Sequence, residues 1–264
     1  MSVSATSSTP SIAELRAATQ PESIFARNSG EHWAGRLYVR RFSPYVTRRL
    51  LPTRVTPNAV TWAMILVGLA AAAVLTLPGV LPALAAALLI QCQILLDCVD
   101  GELARWRGQF SPAGVYLDRL GHYVTETALP IALGIRADGG WEEIGGYTAL
   151  GLLAAVLALL VRMEIVLVHV ARAEAGKPPF EDTAAAAAPR ASGLRRARRA
   201  LAVFPFFRAF VAIEATLLAL AAALLDLALG DLEATRALVI ALVPVAAVTA
   251  VGRLVTILGS ERLR

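Results

Sequence analysis

Lysine is almost missing from this chain: Lys177 is the only one among 25 basic residues in a length of 264. Cysteine is nearly as scarce. Cys92 and Cys98 stand six apart on one apolar run, which excludes a disulfide framework and suits two small core residues. Charged residues reach only 17%, no G-x-x-x-x-G-K phosphate loop occurs, and no internal repeat is evident. The first twenty residues, rich in Ser, Thr and Ala, have no apolar core of the signal-peptide kind. What the chain has in plenty is apolar surface, with 57% hydrophobic residues and a mean hydropathy of +0.62. That balance points to a membrane protein. The net charge of +5 does not argue for nucleic acid, because the arginines gather in loops beside apolar runs.

Six apolar segments of about 20 residues or more, each long enough to span a bilayer, run over roughly 59–77, 82–104, 113–135, 145–171, 205–229 and 235–259. Ahead of them, Trp33, Leu37, Val39, Phe42, Val46 and Leu50 alternate with Arg36, Arg40, Arg41, Arg48 and Arg49. This pattern predicts an amphipathic helix, kinked near Pro44, lying on an anionic membrane surface. The expected organisation is a disordered cytoplasmic tail over 1–30, an amphipathic juxtamembrane helix over 31–56 and a six-helix membrane domain over 57–264. The expected fold class is an all-α integral membrane protein. Trp33, Trp62, Trp106 and Trp141 fall near the predicted span ends, as in an interfacial belt.

Basic residues are distributed unevenly between the two sets of loops. Eight precede Pro57, Arg105 and Arg107 follow the second span, seven lie between Arg172 and Arg199, and Arg262 and Arg264 close the chain. The other side shows only Arg136 and Arg236. The positive-inside rule then places both ends in the cytoplasm. An alanine run, Ala184–Ala188, and a basic block, Arg195 to Arg199, occupy the loop after the fourth span; the block suits anionic head groups.

The chemistry concentrates between Asp97 and His122, DCVDGELARWRGQFSPAGVYLDRLGH. Asp97, Asp100, Gly101, Ala104 and Arg105 share one helical face, and Gly114, Asp118 and His122 share a face of the next helix at steps of four. Ionisable residues at membrane depth are costly and usually functional. If the two faces meet, three carboxylates converge where a hard cation such as Mg²⁺ or Mn²⁺ binds.

At these residues the chain resembles the CDP-alcohol phosphotransferases, whose motif is D-x2-D-G-x2-A-R, eight residues, then G-x3-D-x3-D. Asp97, Asp100, Gly101, Ala104, Arg105, Gly114 and Asp118 match position by position, and His122 replaces the last aspartate. The resemblance implies a divalent metal on Asp97, Asp100 and Asp118, and CDP against Gly101, Ala104, Arg105 and Gly114. It implies transfer of a substituted phosphate from a CDP-linked donor, such as CDP-diacylglycerol, to an alcohol or phosphorylated alcohol, with CMP released and a homodimer as the working form. His122 then takes the general-base role of the missing aspartate, for which imidazole is competent near neutral pH; Glu126, one turn on, is the substitute.

Two weaker echoes flank this motif. Thr56-Pro57-Asn58 with Thr61 is similar to the family's entry to the first span, placing Asn58 and Thr61 at the nucleotide, though Thr56 and Pro57 also make an ordinary helix start. Arg172, in A-R-A-E-A-G, is similar to a segment that meets the acceptor's phosphate, and Arg208 is a lesser candidate of that kind. The alternative is a catalytically silent relative that keeps the CDP-binding face and serves as a membrane binding or scaffold protein. The expected setting is the cytoplasmic membrane, multi-pass, with the site facing the cytoplasm. Cysteine labelling from outside intact cells, in a background without Cys92 and Cys98, should reach a probe near Asp138 and miss one near Ser192. The reverse pattern overturns the orientation.

Overall fold

The computed structural model describes residues 10–21, 33–178 and 206–263, and among them every regular element is helical. In chain order these are α1 (Ile12–Thr19), a π-turn (Gly35–Val39) leading into α2 (Arg40–Leu50), α3 (Pro57–Leu75), α4 (Val80–Arg107), α5 (Pro112–Ala137), α6 (Gly146–Glu174), a 3-10 turn (Phe206–Phe210), α7 (Ala212–Leu229) and α8 (Glu233–Leu258). The alanine run and the basic block that follows it lie outside the described residues.

The chain is an all-α membrane protein. Helices α3, α4, α6, α7 and α8, with 19, 28, 29, 18 and 26 residues, are long and apolar enough to cross a bilayer. The remaining expected span coincides with α5, which is 26 residues long but carries Asp118, Arg119 and Glu126 within its first four turns. Side-chain size is sorted in the sense that lipid demands. Small residues face inward, among them Ala71, Ala83, Ala86, Ala154, Ala219 and Ala246, all at most 1% exposed. Large apolar ones such as Leu81, Leu88, Val156, Leu225, Leu227 and Leu258 face out. Lipid tails are as apolar as leucine, so helices associate by close approach of small residues rather than by hiding large ones.

Contacts divide the chain into two compact units, 1–70 with 88–122, and 71–87 with 123–264. In the first unit, Val60, Val99 and Leu103 form a core, joined by Val46, Leu50, Leu51, Val55, Leu95 and Leu96. Arg107 closes the turn between α2 and α3 by donating to the carbonyls of Leu50, Leu51, Thr53 and Val55. A cation on the last carbonyls of α2 satisfies acceptors that the helix itself leaves open.

The N-terminal segment departs from expectation: residues 12–19, placed by the sequence in a disordered tail, form α1. Ser11 Oγ accepts from the Glu14 N–H while Glu14 accepts from the Ser11 N–H, a reciprocal capping box, and Leu15 and Thr19 are fully buried. Burial against the rest of the same unit supplies what an eight-residue helix lacks by itself. The irregularity expected at Pro44 also falls elsewhere, at the π-turn one turn earlier, while α2 runs through Pro44. Proline has no N–H for the carbonyl of Arg40, and Gln20 Nε2 supplies the missing donor at 3.0 Å. Facing inward from α2 are Ser43, Pro44 and Thr47, while Leu37, Phe42 and Tyr45 are exposed.

In the second unit α8 packs on α6 and α7, and α5 meets α6 through paired glycines. A Cβ at Gly151 would come within 2.5 Å of the Pro130 carbonyl oxygen, and one at Gly134 within 2.5 Å of the Tyr147 carbonyl oxygen. Only glycine lets the two backbones approach this closely. Arg136, fully buried, ties the α3–α4 hairpin by donating to the carbonyls of Leu77 and Gly79, and Trp141 Nε1 donates to Thr76 Oγ1 at 2.8 Å. Arg162, which interrupts the apolar run of α6, pairs with Glu126 of α5. Glu164, also in α6, interacts with Arg253 of α8, which also donates to the Val161 carbonyl at 2.9 Å.

Two helix starts in this unit are capped from a distance. Asp226 accepts from the N–H groups of Ala234 and Thr235 at the start of α8. Asp138 accepts from the N–H groups of Gly145, Tyr147 and Thr148 and from the Thr148 hydroxyl at the start of α6. Burial would push the Asp138 carboxyl up, but these hydrogen bonds together hold it below the ordinary carboxylate range. A carboxyl lowered in the folded state stabilises it fully above the unfolded pKa, and that gain is lost as pH falls through the lowered value. The melting-temperature difference between wild type and Asp138→Asn in detergent should therefore be constant above about pH 5 and shrink below about pH 4. A difference that grows on acidification contradicts the capping role.

Candidate active site

Each functional side chain is placed by a short local rule. Thr56 Oγ1 accepts from the Ala59 N–H at 3.2 Å and Pro57 opens the first turn, so α3 starts cleanly with Asn58 and Thr61 one turn apart. Ser111 Oγ accepts from the Gly114 N–H at 3.0 Å and starts α5 in the same way. Between them, the second half of α4 carries Asp97, Asp100, Gly101, Ala104 and Arg105. All of these except Thr56 and Ala59, together with Asp118, line one cleft of about 680 Å³.

Within the cleft, Asp100 is 8% exposed and accepts from Thr61 Oγ1 at 2.6 Å. Its neighbour Asp97 lies with its Oδ1 3.2 Å from His122 Nε2, and Asp118 Oδ1 lies 3.6 Å from the same nitrogen. Ligand atoms of Asp97, Asp118 and His122 all fall within 4.8 Å of one another. The closest set of three therefore contains His122 where the sequence suggested Asp100, which is turned to Thr61. His122 itself does not line the cleft. Carboxylates this close repel unless a cation or a proton sits among them. Two carboxylate oxygens and an imidazole nitrogen, with Asp100 one helical turn away, suit a divalent cation of the Mg²⁺ or Mn²⁺ kind.

Small residues leave room where the cleft needs it. A Cβ at Gly114 would lie 3.0 Å from Asn58 Oδ1, and one at Gly101 would lie 2.9 Å from the Arg105 guanidinium. Arg105 therefore folds back over Gly101, with its Nε donating to the Thr19 carbonyl at 2.6 Å. Arg172, at the end of α6 in the second unit, donates to the carbonyls of Pro178 and Arg262. An acceptor phosphate at Arg172 would have to compete with those carbonyls. Arg208, in the 3-10 turn, is 3.8 Å from Glu214. Glu126 is held by Arg162.

The sequence reading missed one carboxylate altogether. Glu102, fully buried between Gly101 and Leu103, accepts from the Gln20 amide, the Ser43 hydroxyl and the Thr47 hydroxyl. It lies in a variable position of the motif, so only its three donors, 55 to 82 residues away in sequence, reveal it. Arg40, from α2, also lines the cleft. The one local signal available was the S-x-x-E pattern of Ser11 and Glu14, which marks the helix start that brings Gln20 to Glu102.

In a membrane protein, a carboxylate-rich cleft with two arginines and small residues at its wall suits an anionic ligand carried with a divalent cation. The family comparison narrows this class: the model for CDP-alcohol phosphatidyltransferase matches residues 54–248, and the chain belongs to that family. Comparison with curated proteins finds no match. The family transfers a phosphatidyl-type group from a CDP-linked alcohol to an acceptor and typically works with a divalent metal. The Thr61–Asp100 contact gives the site a test. Thr61→Val keeps the volume but leaves a buried carboxylate short of a donor, at a cost of about 1–3 kcal/mol. A lowered melting temperature is expected, with recovery in Thr61→Ser; an unchanged melting temperature contradicts the role of this bond.

Proposed function

We propose that this chain transfers a phosphatidyl group from CDP-diacylglycerol to the hydroxyl of a polar alcohol and releases CMP. The observation that carries the reading is the meeting of Asp97, Asp118 and His122 beside a cleft lined by the other motif residues. The acceptor class is a small alcohol that already bears a phosphate, as in inositol phosphate or glycerol phosphate; the A-R-A-E segment at Arg172 supports this. The uneven distribution of arginine supports a cytoplasmic opening of the cleft, and the family resemblance supports a homodimer.

The chain's own groups divide the work. Asn58, Gly101, Ala104 and Gly114 shape the wall against which the nucleotide lies, and Arg105 offers a forked cation to its diphosphate. Asp97, Asp100 and Asp118 would hold the metal, which when bound neutralises phosphate charge and polarises the phosphorus–oxygen bonds. The acceptor oxygen attacks the phosphorus that bears diacylglycerol, the bond to the CMP oxygen breaks, and CMP leaves with the electron pair. His122 Nε2, facing Asp97 and Asp118, takes the hydroxyl proton, and the two carboxylates stabilise the imidazolium that forms.

Purified protein supplied with CDP-diacylglycerol, Mn²⁺ or Mg²⁺ and a panel of alcohols should release CMP. Asp118→Asn should abolish release in a folded protein. His122→Ala should lower turnover by about 10²–10⁴-fold with donor binding retained, and His122→Asp should keep activity. Wild-type turnover in His122→Ala removes the histidine from the mechanism. Inactivity of wild type with every acceptor, together with a gain in His122→Asp, identifies a silent relative instead.

A further inference from the structure

The family match begins at residue 54, so α1 and α2 lie ahead of it, yet both reach the cleft. Among the described residues lining it there are two cations: Arg105, part of the motif, and Arg40, which opens α2. Both are braced by the end of α1. Arg105 Nε donates to the Thr19 carbonyl at 2.6 Å, and Thr19 is the last residue of α1, where unpaired carbonyls carry the negative end of the helix dipole. One residue on, the two hydrogens of Gln20 Nε2 go to the Arg40 carbonyl at 3.0 Å and to Glu102 at 2.8 Å. Glu102 in turn accepts from Ser43 and Thr47, three and seven residues beyond Arg40 on the same face of α2. Arg16 adds a bond to the Arg41 carbonyl at 2.9 Å. A buried carboxylate with three donors from two other helices fixes where α2 sits, and with it the start of the helix that presents Arg40.

Two guanidinium groups brought to one cleft repel each other, and an anion with more than one charged oxygen lying between them relieves that repulsion. A diphosphate is such an anion, with the carboxylate side of the same cleft left for its metal. We propose that Arg40 is a second ligand for the donor's diphosphate, paired with Arg105 and held in position by α1 through Gln20 and Glu102. This rests on the reading of the cleft as the site of a CDP-linked donor. Arg40 is a binding residue in this arrangement, and Gln20 and Glu102 are positioning residues.

The test compares the binding of CDP and of cytidine to the full-length protein in detergent with Mn²⁺ present. In wild type CDP should bind more tightly than cytidine. Arg40→Ala should weaken CDP by about 10- to 100-fold, the effect of losing one charged hydrogen-bonding partner, and leave cytidine unchanged. Arg40→Lys should recover part of the loss, since it restores the charge without the fork. Gln20→Ala removes only the brace and should weaken CDP in the same direction by less, again sparing cytidine. Equal weakening of CDP and cytidine in these variants would show a purely structural role and overturn the proposal. So would CDP binding in Arg40→Ala equal to that of wild type, with the donor reading left standing. A wild type that does not prefer CDP to cytidine overturns the donor reading, and the pairing falls with it.

Discussion

Mutual repulsion among carboxylates in a largely apolar chain is the constraint around which the first unit is built. Asp97, Asp100 and Asp118 share one cleft, two of them within 4.8 Å of a common partner. No folded protein keeps such a group together without compensation, because each charge is partly taken from water while facing another of the same sign. The compensation is visible in three forms: the Thr61 hydroxyl on Asp100, the His122 imidazole between Asp97 and Asp118, and Arg105 and Arg40 on the cleft wall. A bound cation would add the rest.

The membrane sets the second constraint. With no hydrophobic gain from hiding large side chains, the helices are held by small residues, by backbone approach at Gly134 and Gly151, and by arginines aimed at exposed carbonyls. Arg107 and Arg136 do this at two different hairpins, each gathering carbonyls that helix ends leave open. Read as topology signals, they are two charges in loops; read as structure, they are ties that make short turns possible. Both descriptions hold for the same side chains.

Much of this was legible in the sequence because it is local or periodic. Apolar runs of spanning length, the motif at helical spacing and the Thr56-Pro57 start each depend on residues within a few turns of one another. The Asp97–His122 contact follows from the same logic, since two short-range faces had only to meet. Three features were not legible. Helix α1 is eight residues long in a segment of low apolar content, and its stability comes from burial of Leu15 and Thr19 on distant residues. Glu102 reads as an ordinary polar position until its three donors are known. Arg40 was read as one cation among five on an interfacial helix, and nothing within its own turn separates it from Arg41. A π-turn precedes it, and at Pro44 itself the helix runs on with Gln20 on the carbonyl that proline strands.

The exchange of an aspartate for His122 has a consequence that follows from the same electrostatics. A fourth carboxylate would add one more negative charge to a corner already holding Asp97 and Asp118, and would demand more cationic compensation. Imidazole lowers that demand, because it is neutral or positive and can accept or donate at the nitrogen that faces both carboxylates. As the proton acceptor its Nε2 lone pair is not available to a metal, so the ligands left are oxygens of Asp97, Asp100 and Asp118, a set that suits Mg²⁺ and Mn²⁺ alike. The geometry thus ties two properties to one residue. A carboxylate at that position would change the proton acceptor and at the same time add an oxygen to the ligand set.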